Sequence, residues 1–239
     1  MPNTFFRFKQ FTIHQEYCAM KVCTDACLFG SYMAKRESRN KIPGTRHCLD
    51  IGTGTGLLSL MLAQETDHYI YAVEIDSASF LQAKANIGSS PWHDRIQVTL
   101  ADITSYHPLR KYDLVISNPP FFEDDLKSTD EKKNQAKHDS ALSLSVLIQQ
   151  VDKFLTPKGE FAVLLPYHRL GYFIEEAEKQ QLFLTEKIII KQTPSHSWFR
   201  GILIFSRETK DLHTDEIIIK DTTGEYSARF VNLLQDYYL

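Results

Sequence analysis

Seven residues, Asp50-Ile51-Gly52-Thr53-Gly54-Thr55-Gly56, constrain what this chain can fold into. Glycines in alternate positions mark a sharp turn, because glycine takes left-handed backbone without strain and lets a ligand approach the chain closely. The turn follows an apolar run that predicts a strand over 46–51. It opens a helical pattern over 56–66, with Leu57, Leu60 and Met61 on one face. A strand running through a glycine turn into a helix is a building unit of an open α/β sheet, whose ligands bind beyond the carboxyl ends of the strands.

The rest of the chain repeats that alternation. Strands are predicted over 69–75, 95–100, 112–117 and 160–165. Helices are predicted over 77–87, with Ser77 as the cap, over 142–154, stopped by Pro157 and Gly159, and over 170–181. Residues 183–191 and 201–207 read as neighbouring antiparallel strands. The tail from Asp215 reads as a short strand followed by a helix starting near Gly224. The pattern implies a mostly parallel sheet with helices on both faces and an antiparallel strand near its C-terminal edge.

The chain has 239 residues, enough for one domain with a small appendage. A net charge of −3 excludes a globally basic nucleic-acid binder. A local excess exists: Arg7, Lys9, Lys21, Lys35, Arg36, Arg39, Lys41 and Arg46 outnumber Glu16, Asp25 and Glu37 at the N-terminal end. Such a patch is either a solvated surface or a source of phosphate contacts to RNA. Cys18, Cys23, Cys27 and Cys48 form no C-x-x-C pair, and no histidine sits at ligand spacing from them, so no metal site is expected. No apolar run approaches the length of a membrane span and no leader pattern opens the chain. A cytoplasmic protein with reduced thiols is expected, as a monomer, with no membrane and no metal.

The glycine spacing separates two cofactor classes. A dinucleotide turn reads G-x-G-x-x-G and presents a helix N-terminus to a pyrophosphate. Here the spacing is G-x-G-x-G, with Asp50 two residues before Gly52. That carboxylate would repel a pyrophosphate but would suit the ammonium of an amino-acid tail, which favours S-adenosyl-L-methionine. Glu74, at the end of the next strand, can accept both hydroxyls of a ribose. Asp76 suits a helix N-terminus. Asp102 and Ile103, past the third strand, offer a carboxylate for an adenine amine and an apolar side chain for the ring face.

A second element, Asn118-Pro119-Pro120-Phe121, follows the apolar run over 112–117. An exocyclic aromatic amine is a poor nucleophile because its lone pair is delocalised into the ring. Two acceptors on its two N–H bonds favour pyramidal geometry and localise that pair. The Asn118 side-chain oxygen and a backbone carbonyl, that of Pro119, are candidates. Consecutive prolines stiffen the turn and add no competing N–H. Phe121 can stack on a flat substrate. The charged segment 123–138 follows directly, where a substrate loop would sit, and His138 at its end could line the pocket or simply precede a helix. The segment Ser195-His196-Ser197-Trp198-Phe199-Arg200 mixes aromatic and basic character between two strands, and reads equally as an RNA contact or an ordinary hairpin.

These two elements resemble a class I S-adenosylmethionine-dependent methyltransferase, whose fold is Rossmann-like with a seven-stranded sheet. Phe8-Lys9-Gln10-Phe11, Met20-Lys21-Val22-Cys23-Thr24-Asp25, Ser90-Pro91-Trp92 and Gln135-Ala136 are similar to segments of the bacterial tRNA1(Val) adenine-37 N6-methyltransferases. The resemblance implies N6-methylation of an adenine in tRNA, beside the anticodon. It implies that Asp50, Gly52, Gly54 and Gly56 hold the cofactor tail, Glu74 its ribose, and Asp102 its adenine. Thr24 and Asp25 would close over the cofactor, as part of a segment 1–45 packed on a methyltransferase domain 46–207, with 208–239 an extension of that domain. Asn118 to Phe121 would take the target adenine. Lys35, Arg36, Arg39, Lys41, His138 and Arg200 are the candidate RNA contacts. Cys23 and Cys27 stand where the resemblance leads one to expect glycine, and Phe121 replaces the commoner tyrosine.

Three rivals remain at this level. An rRNA guanine N2-methyltransferase would use the same chemistry. A protein glutamine N5-methyltransferase also uses an N-P-P-F/Y element, but carries a sizeable helical domain before its first strand. A non-catalytic RNA-binding protein on the same fold would have no need of Asp50, Glu74 and Asn118.

Overall fold

The computed structural model describes residues 3–18, 20–39, 46–120 and 143–238. The chain opens on a hairpin, β1 (Phe5–Arg7) and β2 (Thr12–His14), followed by helix α1 (Thr24–Arg39). Then come β3 (His47–Ile51), α2 (Leu57–Glu65), β4 (Tyr69–Glu74), α3 (Ser77–Gly88), β5 (Ile96–Leu100) and β6 (Tyr112–Ser117). Beyond residue 142 the order is α4 (Leu144–Phe154), β7 (Leu155–Pro166), α5 (Leu170–Lys179), β8 (Phe183–Lys191), β9 (Trp198–Ser206), β10 (His213–Ile218) and α6 (Ala228–Leu234).

The sheet has eight strands in the order β10-β8-β9-β7-β6-β3-β4-β5. Only β9 runs against the others. The antiparallel β8–β9 pairing and the strand–helix alternation follow the sequence. The eighth strand does not: β10 pairs parallel to β8, from His213↔Glu186 to Ile218↔Lys191, and extends the sheet one strand past the seven expected. Three boundaries also differ. The cap of α3 is Asp76, whose carboxylate accepts the Ser79 N–H, rather than Ser77. Helix α4 starts behind a Ser143 cap, and β7 begins at Leu155 instead of after Gly159.

Strand β6 lies beside β3, while β4 and β5 step away on β3's other side. The chain direction across the sheet therefore reverses between β3 and β6, the place where such sheets open a crevice at their carboxyl ends. Successive side chains alternate between two apolar layers. Leu114, Ile116, Ala162 and Leu164 pack with α1, α2 and α6. Val115, Phe161, Val163 and Leu165 pack with α4 and α5. Helix α2 is buried from Leu57 to Ala63 because it lies between the sheet and α1. Gly30 permits that approach: a Cβ there would stand 2.6 Å from the Met61 sulfur.

The tail closes on the N-terminal hairpin. The Tyr237 hydroxyl donates to the Met61 carbonyl at 2.9 Å, and the Lys9 N–H donates to the Tyr237 carbonyl at 2.8 Å. Tyr238 meets the rings of Phe6, Phe8 and Phe230.

Candidate active site

The glycine turn stands on the end of β3. Gly52, Gly54 and Gly56 have φ values of 71°, 57° and 84°, the left-handed region that explains why glycine occupies all three positions. Among the described residues, a Cβ on Gly52 or Gly54 would meet nothing within 4 Å beyond its chain neighbours. Gly52 and Thr53 N–H donate to the Val73 carbonyl, which ties the turn to the end of β4.

Asp50 is fully buried beneath this turn. Its Oδ2 accepts the hydroxyls of Thr53 and Ser59, each at 2.7 Å, while its Oδ1 is buried without a partner. Burial pushes the carboxyl up to about 6, against the two hydroxyl bonds that favour its ionised form. A buried acceptor left unmade costs about 1–3 kcal/mol, so Oδ1 is a place for a donor from outside the chain. Glu74 is also buried. Its Oε1 accepts the N–H groups of Ile75 and Asp76, and its Oε2 accepts the Gly54 N–H at 2.8 Å. Glu74 thus shapes the turn that it faces. Asp102 is exposed, with Oδ1 holding the Thr104 N–H and hydroxyl, and Ile103 beside it is buried.

The second element stands on the end of β6. Register pairs Asp50 with Ile116 and Ile51 with Ser117, so Asn118 follows on the strand next to the glycine turn. The Asn118 Oδ1 is likewise buried without a partner; among the described residues the Gln64 and Gln82 side-chain oxygens share that state. Pro119 is buried and Pro120 exposed. Phe121, Lys41 and His138 lie outside the described residues.

Thr24 and Asp25 open α1. The Asp25 carboxylate accepts Arg200 Nε at 2.8 Å, and Arg200 pairs in register with Pro166 at the carboxyl end of β7. Both therefore stand on the same side of the sheet as Asp50 and Asn118. Arg200, expected to touch RNA, remains on that rim while bound to Asp25.

The other end of α1 lies elsewhere. Sixteen helical residues span about 24 Å, so Lys35, Arg36 and Arg39 reach the amino ends of the strands, away from the crevice. Arg36 is not available for phosphate. Its guanidinium forms two bonds to Glu160 at 2.7 and 3.0 Å, one to Glu186 at 2.8 Å and one to the buried Glu37 at 3.1 Å. Glu37 also meets Arg46 and His68. Burial pushes Glu160 up, but the bonds and charge of Arg36 outweigh it and hold that carboxyl below its ordinary range. Lys35 joins Asp236 at 2.9 Å and the Asn232 carbonyl at 2.7 Å, tying α1 to the C-terminal helix. Arg36, expected as an RNA contact, is thus engaged in a network within the chain, and Lys35 is engaged with the C-terminal helix. Arg39 is exposed.

Sequence reasoning missed three residues of this site. Ser59 and Thr53 hold Asp50; the signal for Ser59 was one hydroxyl inside the apolar run from Leu57 to Leu62. Asn86 donates to the carbonyls of Thr55 and His14 and accepts the His14 N–H, which clamps the hairpin to the glycine turn. Among the described residues, no group of three or more His, Cys, Asp or Glu side chains could hold a metal ion. No described helix is long and apolar enough to cross a membrane.

Residues 30–177 match the family model of the methyltransferase small domain. Two curated relatives, from Phocaeicola vulgatus and Dyadobacter fermentans, bear the name tRNA1(Val) (adenine(37)-N6)-methyltransferase. They are 37% and 40% identical over alignments covering 100% of this chain and 99% of each relative. The chain belongs to the tRNA1(Val) (adenine(37)-N6)-methyltransferase family. The fold agrees with that membership. A predicted O-methyltransferase from Agrobacterium tumefaciens superposes with a TM-score of 0.66 at 14% identity, covering 88% of this chain and 95% of that one. A glycopeptide N-methyltransferase solved with S-adenosyl-L-methionine has a TM-score of 0.55 at 10% identity, covering 75% and 94%. Full-length membership means that the hairpin, α1 and the C-terminal strand and helix belong to the family's chain as much as the sheet does.

Proposed function

We propose that this protein transfers the methyl group of S-adenosyl-L-methionine to N6 of adenine 37 in tRNA1(Val). The observation that carries this reading is the pair of orphaned buried acceptors, Asp50 Oδ1 and Asn118 Oδ1, on the ends of adjacent strands. One suits an ammonium and the other an amine. Family membership supplies the substrate.

When bound, the cofactor supplies an electrophilic methyl on a sulfonium. Asp50 receives its amino-acid ammonium, the glycine turn admits its tail, Glu74 accepts ribose hydroxyls, and Asp102 with Ile103 takes its adenine. Asn118 Oδ1 accepts one N–H of the target amine and the Pro119 carbonyl the other, which localises the lone pair on nitrogen. No strong base is required beforehand: orientation carries most of the rate, and the proton leaves after the methyl has made the nitrogen acidic. The target adenine must leave its stack, at a cost of a few kcal/mol that is smallest in a single-stranded loop such as the anticodon loop. The protein works as a monomer in the cytoplasm.

The test is transfer of labelled methyl from S-adenosyl-L-methionine to tRNA from a strain lacking the gene, followed by nucleoside mass spectrometry. N6-methyladenosine at position 37 of tRNA1(Val) is the expected product. With rRNA and a cell protein extract offered in parallel, label that stays out of tRNA and appears as N2-methylguanosine in the rRNA or as methylated glutamine in the protein would replace this reading by a rival.

A further inference from the structure

Trp198 begins β9 and is 46% exposed, unusual for the largest apolar side chain. Its ring is held from several directions. Tyr167, just past β7, stands 5.0 Å away between ring centres. Lys191 Nζ lies 5.5 Å from the ring centre, and the indole N–H donates to Glu216 at 2.8 Å. These contacts fix the orientation of the ring and still leave nearly half the side chain accessible. Fixed, exposed aromatic rings beside cations are what single-stranded nucleic acid binds, since every base has a face to stack and every nucleotide a phosphate.

Position strengthens the reading. Pro166 of β7 pairs with Arg200, and Lys191 of β8 with Trp198, so the ring stands at the carboxyl edge of the sheet. Strand β9 lies two strands from β6, about 10 Å away at ordinary strand spacing. That is the reach from one nucleotide to its next neighbour or two, not to a distant part of an RNA. Lys191, paired with Glu216 at 3.2 Å, and Arg200, paired with Asp25 at 2.8 Å, flank the ring on β8 and β9.

We propose that Trp198 is a stacking platform for an unpaired base flanking the target adenine. This rests on the proposed methylation of an RNA loop and names the surface that receives the neighbouring nucleotides. It assigns to Trp198 the placement of the RNA and no part in the methyl transfer.

The chain has two tryptophans, so a Trp92→Phe background leaves Trp198 as the sole indole reporter. Its fluorescence should be quenched when the unmodified anticodon stem-loop of tRNA1(Val) is titrated in. In kinetics with whole tRNA, Trp198→Ala should raise KM roughly 5- to 150-fold. Its kcat should stay within about twofold and its cofactor affinity should be unchanged. Trp198→Phe, which keeps a ring but loses the bond to Glu216, should recover most of the KM, whereas Trp198→Leu should not. Absence of quenching, an unchanged KM in Trp198→Ala, or a Trp198→Phe as impaired as Trp198→Ala would overturn the platform. If wild type methylates adenine 37 and only these variant results fail, the platform alone is lost. If wild type leaves tRNA unmethylated, the functional reading falls and the platform with it.

Discussion

The Ser117 hydroxyl donates to the Ile51 carbonyl at 2.9 Å. This side-chain bond joins the last residues of β6 and β3, directly before Asn118 and directly after Asp50. It fixes the spacing between the two orphaned acceptors more tightly than the strand pairing alone. Ser117→Ala should cost about 1 kcal/mol of stability, the net worth of one buried hydrogen bond. Its kcat should fall more than its cofactor affinity, because alignment of the two sites is lost while each remains intact. Urea melts together with single-turnover kinetics would check both halves.

Asp50 should trade stability for binding. Its folded carboxyl titrates near 6, above the ordinary aspartate value, because it is buried. The folded state therefore holds that proton more tightly than the unfolded chain, so this group lowers stability as pH rises from about 4 through 6. Asp50→Asn removes the penalty, and the apoprotein should melt about 2–4 °C higher at pH 7.5 for each kcal/mol relieved. Loss of the ammonium partner should weaken cofactor binding about ten- to a hundredfold. Calorimetry reads both quantities.

The same titration predicts a pH dependence in the unmodified protein. An ammonium needs the ionised carboxylate. Between pH 7.5 and pH 5 the apoprotein's Asp50 passes through its titration near 6, and cofactor affinity should fall about tenfold. Asp50→Asn should bind weakly at both pH values, with the slope gone.

Arg36 should act on stability alone. Arg36→Gln takes the bidentate cation from Glu160, leaving it Lys210 at 3.6 Å, and takes the guanidinium from Glu186; breaking a largely buried ion network typically costs about 3–5 kcal/mol. The salt dependence of tRNA binding by the folded variant should match wild type. Arg39, exposed at the same end of α1, is the residue there to probe for phosphate contact, and a flattened salt slope on Arg39→Gln would bring RNA to the amino ends of the strands.

Much of the site was legible because its residues sit where local chemistry repeats. The glycine turn, Glu74 and Asn118 each follow an apolar strand, and the strand order then brings them to one crevice. What escaped depended on distant partners. Arg36 reads as surface charge until Glu160 and Glu186, 124 and 150 residues away, are folded against it. Lys35 likewise meets Asp236 only through the packing of the C-terminal helix. The hairpin over 5–14 has strands of three residues, too short for alternation to declare them. The α3 cap lies one residue before Ser77, because Asp76 and Ser77 are both good caps and only geometry chooses. The last strand is legible as a strand, but its place as an eighth member depends on pairing with β8, which lies distant in the order of the sheet from the motifs.

Gly54→Ala should separate fold from site in another way. Its φ of 57° strains any side chain, at about 1–2 kcal/mol. Apart from its chain neighbours, no described residue lies within 4 Å of the added methyl, which would instead project into the space above the turn. Cofactor affinity should therefore fall well beyond the small loss in melting temperature.

The most direct measurement compares wild type with Asn118→Ala. Each is given S-adenosyl-L-methionine carrying a labelled methyl and unmodified tRNA1(Val), and the nucleosides are resolved by mass spectrometry. Wild type should form N6-methyladenosine at position 37. Asn118→Ala should bind the cofactor as wild type does and form almost none, because one acceptor for the target amine is gone. N6-methyladenosine formation by Asn118→Ala at the wild-type rate would contradict the account.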